Sequence, residues 1–281
     1  MTTARVGRAG VRLVWGCALM WAAQQVSMAK SVEVSIPRVS SAPVIDGRAD
    51  DAVWQQAALF DTFLQASPQA GEPATQKTEL RLAHDGRTLY IAVRADERDP
   101  KRIVAQQMHR DSDAISFDDH LLVVLDVEGR GRNGFVFQIN PNGTQRDGLI
   151  FDGSHVRHDW DALWRSEART GEGGWSAEIA VPLAALGVRP GTTLQWRLNA
   201  ERWMSAEKQR VRLAHAGGDK ELMALAEALP LHGAQADAGG WGLRVKPSLR
   251  MTHRDADGTK RTRAEPGLEL FHQGEGGLRT T

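Results

Sequence analysis

The chain has 281 residues, 41% of them hydrophobic, enough for a buried core and for one or two domains. Its formal net charge is zero, which excludes the basic footprint of a nucleic-acid-binding protein. Nine Trp stand against one Tyr; most of these rings are expected in the core, and the rest pair a large apolar ring with a polar handle.

Residues 1–29 read as a secretion signal. Arg5, Arg8 and Arg12 form the basic start, residues 13–23 the apolar stretch, and Ser27-Met28-Ala29 the small residues before a cut. The apolar stretch is too short to span a membrane, so removal and export to the periplasm or outer membrane are expected. Cleavage takes away Cys17, the one cysteine, with three Arg and no acid. The mature chain is then mildly acidic and has no disulfide, Cys ligand or thiol nucleophile.

Residues 32–36 read as a first strand. Asp46-Gly47 turns the chain, and Asp50 caps a short helix whose Val53 and Trp54 face inward. Residues 67–75 form a Pro/Gly/Ala loop. Residues 78–83 and 88–96 alternate around Asp85-Gly86, a hairpin signal, with Leu89, Ile91, Val93 and Ala95 on one face. Asp99-Pro100 starts a short helix through Met108. Asp111, Asp113, Asp118 and Asp119 follow without EF-hand spacing. They suit a solvated turn with one strand-ordering carboxylate, or the oxygen ligands of a structural Ca²⁺.

Residues 118–164 are the middle of an antiparallel sheet. Residues 120–127 are nearly all apolar, as in a strand covered on both faces. A Gly-rich reversal at 128–134 leads to residues 135–140, with Phe135, Phe137 and Ile139 on one face. Asn140-Pro141-Asn142-Gly143 turns the chain into a strand at 145–151, and Trp160-Asp161-x-x-Trp164 closes the segment. Strands at 163–170 and 175–181 follow, the second with Trp175, Ala177, Ile179 and Val181 on one face. Pro182 ends it, and residues 183–186 make one helical turn stopped by Gly187. In residues 195–203, Trp196, Leu198 and Ala200 share one face and Arg197, Asn199, Glu201 and Trp203 the other. Beyond Trp203 the alternation ends. Residues 221–229 read as a short helix, 233–240 as an Ala/Gly linker, 243–252 as a strand, and 267–271 as the start of another. The last two strands are expected to lack partners and to pack poorly. Burial together is expected for Ile91, Val93, Leu121, Val123, Phe135, Phe137, Ile139, Ile179 and Leu198.

An ordered set of motifs runs from about residue 40 to 205. It comprises Ile45-Asp46-Gly47 with Trp54, Asp85-Gly86 with Leu89-Tyr90-Ile91, Asp118-Asp119, Asn140-Pro141-x-Gly143 and Trp160-Asp161. It continues through Trp175-x-x-Glu178-x-x-x-Pro182 and Trp196-x-x-Asn199-x-x-Arg202. In this the chain resembles the family 9 carbohydrate-binding modules and their DOMON-like relatives. The resemblance implies an all-β fold, an antiparallel β-sandwich of jelly-roll type with short helical turns behind the signal peptide, and sugar binding as the founding activity. Trp241-Gly242-Leu243-x-x-x-Pro247 and Gly267-Leu268-x-Leu270 resemble the start of a C-terminal outer-membrane-barrel-like region found after this module in large bacterial proteins. The expected division is a signal at 1–29, a sandwich at 30–232, and a linker with the start of a truncated β region at 233–281.

Sugar recognition needs an aromatic ring and planar polar groups for vicinal hydroxyls. The candidates are Arg146, Asp147, Trp160 and Trp164, with Arg197, Asn199, Glu201, Arg202 and Trp203. Trp160 and Trp164 serve equally as packing or as a platform, and the polar face of 195–203 equally as a site or as ordinary solvent surface. No G-x-S-x-G elbow and no H-E-x-x-H is present. His155 and His158 read as a solvated loop pair. Met108-His109 is a poor haem clamp, because adjacent side chains project to different sides. The expected function is non-catalytic binding of a poly- or oligosaccharide in a bacterial envelope, without a cofactor beyond structural Ca²⁺. The alternatives are an accessory domain of an outer-membrane barrel and a glycosidase-associated module.

Overall fold

The computed structural model describes residues 34–256, except 190, 192, 215–220 and 236–241, together with residues 259–273. At 193–194, 233–235 and from 242 onward it describes the backbone alone. The signal segment, Cys17, residues 236–240 of the linker and Trp241 lie outside the described residues.

The first strands are β1 (Val34–Ser35), β2 (Ala58–Phe60), β3 (Leu64–Ser67), β4 (Thr78–His84) and β5 (Thr88–Asp96). Next come β6 (His120–Asp126), β7 (Gly134–Ile139), β8 (Gln145–Phe151), β9 (His155–Arg157), β10 (Arg165–Gly171) and β11 (Gly174–Pro182). The series ends with β12 (Thr193–Met204), β13 (Gln209–Arg212), β14 (Leu229–Gln235), β15 (Gly242–Ala256) and β16 (Thr259–Gln273). One sheet has the order β1-β14-β12-β6-β7-β8-β9, with β13 joining β12 to β3; the smaller sheet has the order β10-β11-β5-β4-β2. All these pairings are antiparallel except β1 with β14. Among the described residues the helical elements are short 3-10 turns, and no helix is long and apolar enough to cross a membrane.

The alternation of the strands produces the sandwich directly. Leu121, Val123, Phe137, Ile139 and Leu198 of the larger sheet share one core with Ile91, Val93 and Ile179 of the smaller. Phe135 is half-buried against the same core. Trp175, Ala177, Ile179 and Val181 enter it together, as the period of two requires. The outer face of the smaller sheet is covered by Val39, Val53 and Trp54, packed on Ala83, Tyr90, Ala92 and Ala180. At one end the outer face of the larger sheet is covered by Leu222 and Leu225, which pack on Val124, Val136 and Ile150. Strand β6 is thus apolar on both faces because both are covered there.

Several boundaries differ from those expected. The turn at Ala52–Gln55 follows Asp51 rather than Asp50, and its first residue makes no side-chain cap. Asp51 instead accepts from the Val44 N–H at 2.7 Å. The helix expected to reach Met108 stops at Arg102. Its would-be continuation has other acceptors: the Val104 N–H donates to Asp119, and those of Gln106 and Gln107 to Asp118. Residues 221–229 contain only the 3-10 turn Leu225–Glu227, and β14 continues through the first three linker residues. The two last strands do have partners. Each is the other's, from Gly242 opposite Gln273 to Ala256 opposite Thr259.

Glu178 fastens the N-terminal segment to the smaller sheet. It is buried on β11; Oε2 accepts from the N–H groups of Asp46 (3.0 Å) and Gly47 (2.9 Å), and Oε1 from the Trp54 indole (2.7 Å). Gly47 has φ +84°, and a Cβ there would sit 2.9 Å from the Ala168 backbone, so no other residue fits. Burial pushes the Glu178 carboxyl up against these donors, which favour its charged form. Glu178→Ala leaves three donors unfilled, and we expect it to lower stability by about 3 kcal/mol. Urea unfolding would show this as a lower midpoint at unchanged slope.

Candidate functional site

The part of the larger sheet's outer face around Trp203 is the strongest candidate. Its register follows from β12. Trp196, Leu198, Ala200 and Met204 point into the core, so the intervening residues point outward. Trp203 lies opposite His120 of β6 and Arg210 of β13; Glu201 lies opposite Leu122 and Arg212. Leu122 faces Gln138, and Gln138 faces Arg146. A row Arg212–Glu201–Leu122–Gln138–Arg146 therefore crosses five strands, about 19 Å at the usual inter-strand spacing. Trp203 and Arg210 lie in the row beside it.

Trp203 is half-buried, and the Arg210 guanidinium lies 5.0 Å over its ring. Glu201 is held by Arg212 at 2.6 Å, with Arg210 further off at 3.7 Å. Gln138 is 3% exposed, and among the described residues its Nε2 has no hydrogen-bond partner; nor has the buried Nε of Arg146. The outer nitrogens of Arg146 reach Ser116 and Asp113, holding the 3-10 turn Asp113–Phe117 at the edge of the face. Ser205 donates to the carbonyl of Phe117, whose own ring is 77% exposed. These residues together offer an aromatic wall, hydrogen-bonding side chains and a buried amide with an unused donor.

The structure sorts the residues proposed from sequence. Arg197, Asn199, Glu201 and Trp203 do share the outer face with Arg146. Two of them hold the chain together there: Arg197 donates to the carbonyls of Gly129 and Ala226, and buried Asn199 bonds Leu222 and Ala214. Arg202 points the other way, into the sandwich, where it donates to the Lys77 and Asp96 carbonyls and to the Thr78 hydroxyl. Asp147, Trp160 and Trp164 are also on the inner side. Trp160 packs on Phe135 and Phe137, and Trp164 stands edge-on to Phe137. Asp147 is fully buried and accepts from the Trp164 indole, the Ala162 N–H and Arg110. His120, Gln138, Arg210 and Arg212 were missed. The signal for the last two was Gln209-Arg-Val-Arg212, a short polar–apolar alternation whose Val211 is buried.

The four carboxylates considered for Ca²⁺ have separate partners. Asp111 pairs with Arg110 and Asp113 with Arg146, while Asp118 and Asp119 accept backbone N–H groups. Among the described residues, the acidic trio with oxygens within 4.8 Å of one another is Asp111, Asp147 and Asp161. The Arg110 guanidinium donates to all three. A shallow groove of about 350 Å³ at the far end of β6 is lined by Phe135, Leu149, Phe151 and Arg157.

No family model matches the chain, and no curated protein matches it. Solved structures do. A Bacteroides uniformis protein assigned as carbohydrate-binding superposes with a TM-score of 0.56 at 14% identity, over 72% of this chain and 98% of its own. A family 9 carbohydrate-binding module of Caldicellulosiruptor kristjanssonii, in complex with cellotriose, gives 0.50 at 12% identity, over 73% and 94%. The chain has a carbohydrate-binding-module fold. The likeness extends to architecture, and the chemistry of the face must be read from this chain's own residues.

Beneath the face, neighbouring Asp119 and His120 are shifted in opposite directions. Burial pushes Asp119 up to about 6 and His120 down to about 4. Between those values Asp119 binds a proton in the folded state but not the unfolded one, so its contribution to stability grows as pH falls. His120 binds a proton only in the unfolded state, so its contribution shrinks as pH falls from 6.5. The two oppose each other. Asp119→Asn removes one side of the balance, and its thermal transition should drop more steeply than the wild type's between pH 6 and 4. The difference is at most about 1.4 kcal/mol per pH unit. Parallel pH curves for the two proteins would contradict these assignments.

Proposed function

We propose that this chain is a non-catalytic carbohydrate-binding module that takes a poly- or oligosaccharide on the open outer face of its larger sheet. The observation that carries the reading is Trp203. Its half-buried ring stands between Arg210 and His120 in the row beside Arg212, Glu201 and Gln138, whose buried amide Nε2 has no partner among the described residues. Sugars need apolar contact and convergent planar hydrogen-bonding groups together, and this face supplies both. The shared fold supports the reading, as does the cellotriose held by the Caldicellulosiruptor module. The signal-type residues 1–29 support an exported protein of the bacterial envelope, periplasmic or associated with the outer membrane.

Affinity in the micromolar to millimolar range is expected, about −4 to −8 kcal/mol, since one aromatic wall and a few hydrogen bonds act on an open face. A second reading, a module attached to an outer-membrane-barrel-like region, is favoured by one observation. Strands β15 and β16 are fifteen residues each and pair with each other. A glycan array and affinity gels separate the two readings, because an accessory domain without a sugar site is retained by no polysaccharide. On a retaining glycan, Trp203→Ala should weaken binding by about 1–3 kcal/mol and leave the thermal transition nearly unchanged. Loss of folding without a separable loss of binding would count against the reading.

A further inference from the structure

We infer that the saccharide of this face is acidic, its rings carrying carboxylates as in a uronan, and that Arg210 selects it. The inference rests on the carbohydrate-binding reading above and goes beyond it. Among the described residues four guanidinium groups lie on the face: Arg197, turned to the carbonyls of Gly129 and Ala226 at its covered end, and Arg146, Arg210 and Arg212. Arg146 pairs with Asp113, and Arg212 with Glu201. His120 is buried, and its depressed pKa keeps it neutral. Asp118 and Asp119 turn their carboxylates to the backbone N–H groups of residues 104–107. Arg210 and Arg212 thus share the one carboxylate of Glu201, so among the described residues the pair has more positive than negative charge, and Arg210 is its exposed member.

Its guanidinium makes no hydrogen bond among the described residues. Its acidic neighbour Glu201 stands at 3.7 Å, too far for one, and its side chain is 52% exposed. Lying over the Trp203 ring, it occupies a surface on which a neutral sugar would stack. A neutral ligand has to displace it. A uronate instead uses it, because the planar fork of donors matches a carboxylate in two parallel hydrogen bonds while the sugar's C–H groups rest against the exposed part of Trp203. The remaining polar groups, Gln138 and the Glu201–Arg212 pair, are left for hydroxyls. A sulfate ester presents a similar negative charge but not the planar pair of oxygens, so the two anion sources can be separated.

The test is affinity electrophoresis of the full chain at physiological salt in gels containing polygalacturonate, alginate, hydroxyethylcellulose or dextran sulfate. Arg210→Gln is compared with the wild type and with Arg157→Gln, a control in the groove at the far end of β6. Retention by a uronan should exceed that by the neutral glucan about tenfold or more, and Arg210→Gln should lose most of that preference with its thermal transition unchanged. Arg157→Gln should behave as wild type. Equal or tighter binding of hydroxyethylcellulose, or unchanged uronan binding by Arg210→Gln, overturns the acidic assignment and leaves carbohydrate binding standing. Tightest retention by dextran sulfate overturns the carboxylate in favour of a sulfate ester. Retention by none of the four overturns both readings.

Discussion

One buried guanidinium ties the two sheets together. Arg202 leaves β12 on the core side and crosses to the smaller sheet, donating to the Lys77 carbonyl (3.0 Å), the Thr78 hydroxyl (3.2 Å) and the Asp96 carbonyl (2.6 Å). A charge placed so deep is costly; the two outer nitrogens are filled, the buried Nε has no partner among the described residues, and burial pulls the pKa down to about 10, still cationic at neutral pH. The consequence reaches the surface. A one-residue slip of β12 would send Arg202 outward and drive Trp203 into the core. With Trp196, Leu198, Ala200 and Met204 inside on the same parity, that slip is strongly opposed, and Trp203 is held facing out.

Buried carboxylates do for the loops what Arg202 does for the sheets. Asp126 accepts the N–H groups of Glu128, Gly129 and Gly131 and so shapes the Gly-rich reversal after β6. Asp118 organises residues 106–107 and receives the Asn140 amide, which itself closes the turn before β8. Asp147 joins Trp164 and Arg110, and Glu178 gathers the Asp46-Gly47 turn and Trp54. Each carboxylate meets donors that would otherwise be orphaned at a chain reversal. Asp118 and Glu178 belong to the ordered motif set read from the sequence, whereas Asp126 and Asp147 do not. Those two motif acids stitch the sandwich together, and Trp203, Arg210 and Gln138 fall outside the motif set.

The division between what was legible in the sequence and what was not follows the range of the interactions. Strand periodicity is local, so the inward set on β5, β6, β7, β11 and β12 was readable, as was the two-sided burial of β6. Parity also placed Arg197, Asn199, Glu201 and Trp203 on one face. It could not say how deep each lies. Asn199 and Arg197 are taken up by a segment more than twenty residues further on. For Trp160 and Trp164 packing and platform stood equal because ring type is local information, while Phe135 and Phe137, on which they pack, belong to β7. The helix expected to run to Met108 failed for the same reason: its N–H groups are claimed by Asp118 and Asp119, eleven to fifteen residues away.

The central claim, that saccharide meets this molecule at Trp203, is open to direct observation through the indole N–H signals of its tryptophans in ¹H–¹⁵N spectra. Titration with oligogalacturonates, and separately with cellotriose, should shift the Trp203 signal progressively. Those of Trp54 and Trp164, held by Glu178 and Asp147, should stay in place. Movement of the Trp160 or Trp164 signals with Trp203 unmoved would locate binding elsewhere on the sandwich and contradict the account.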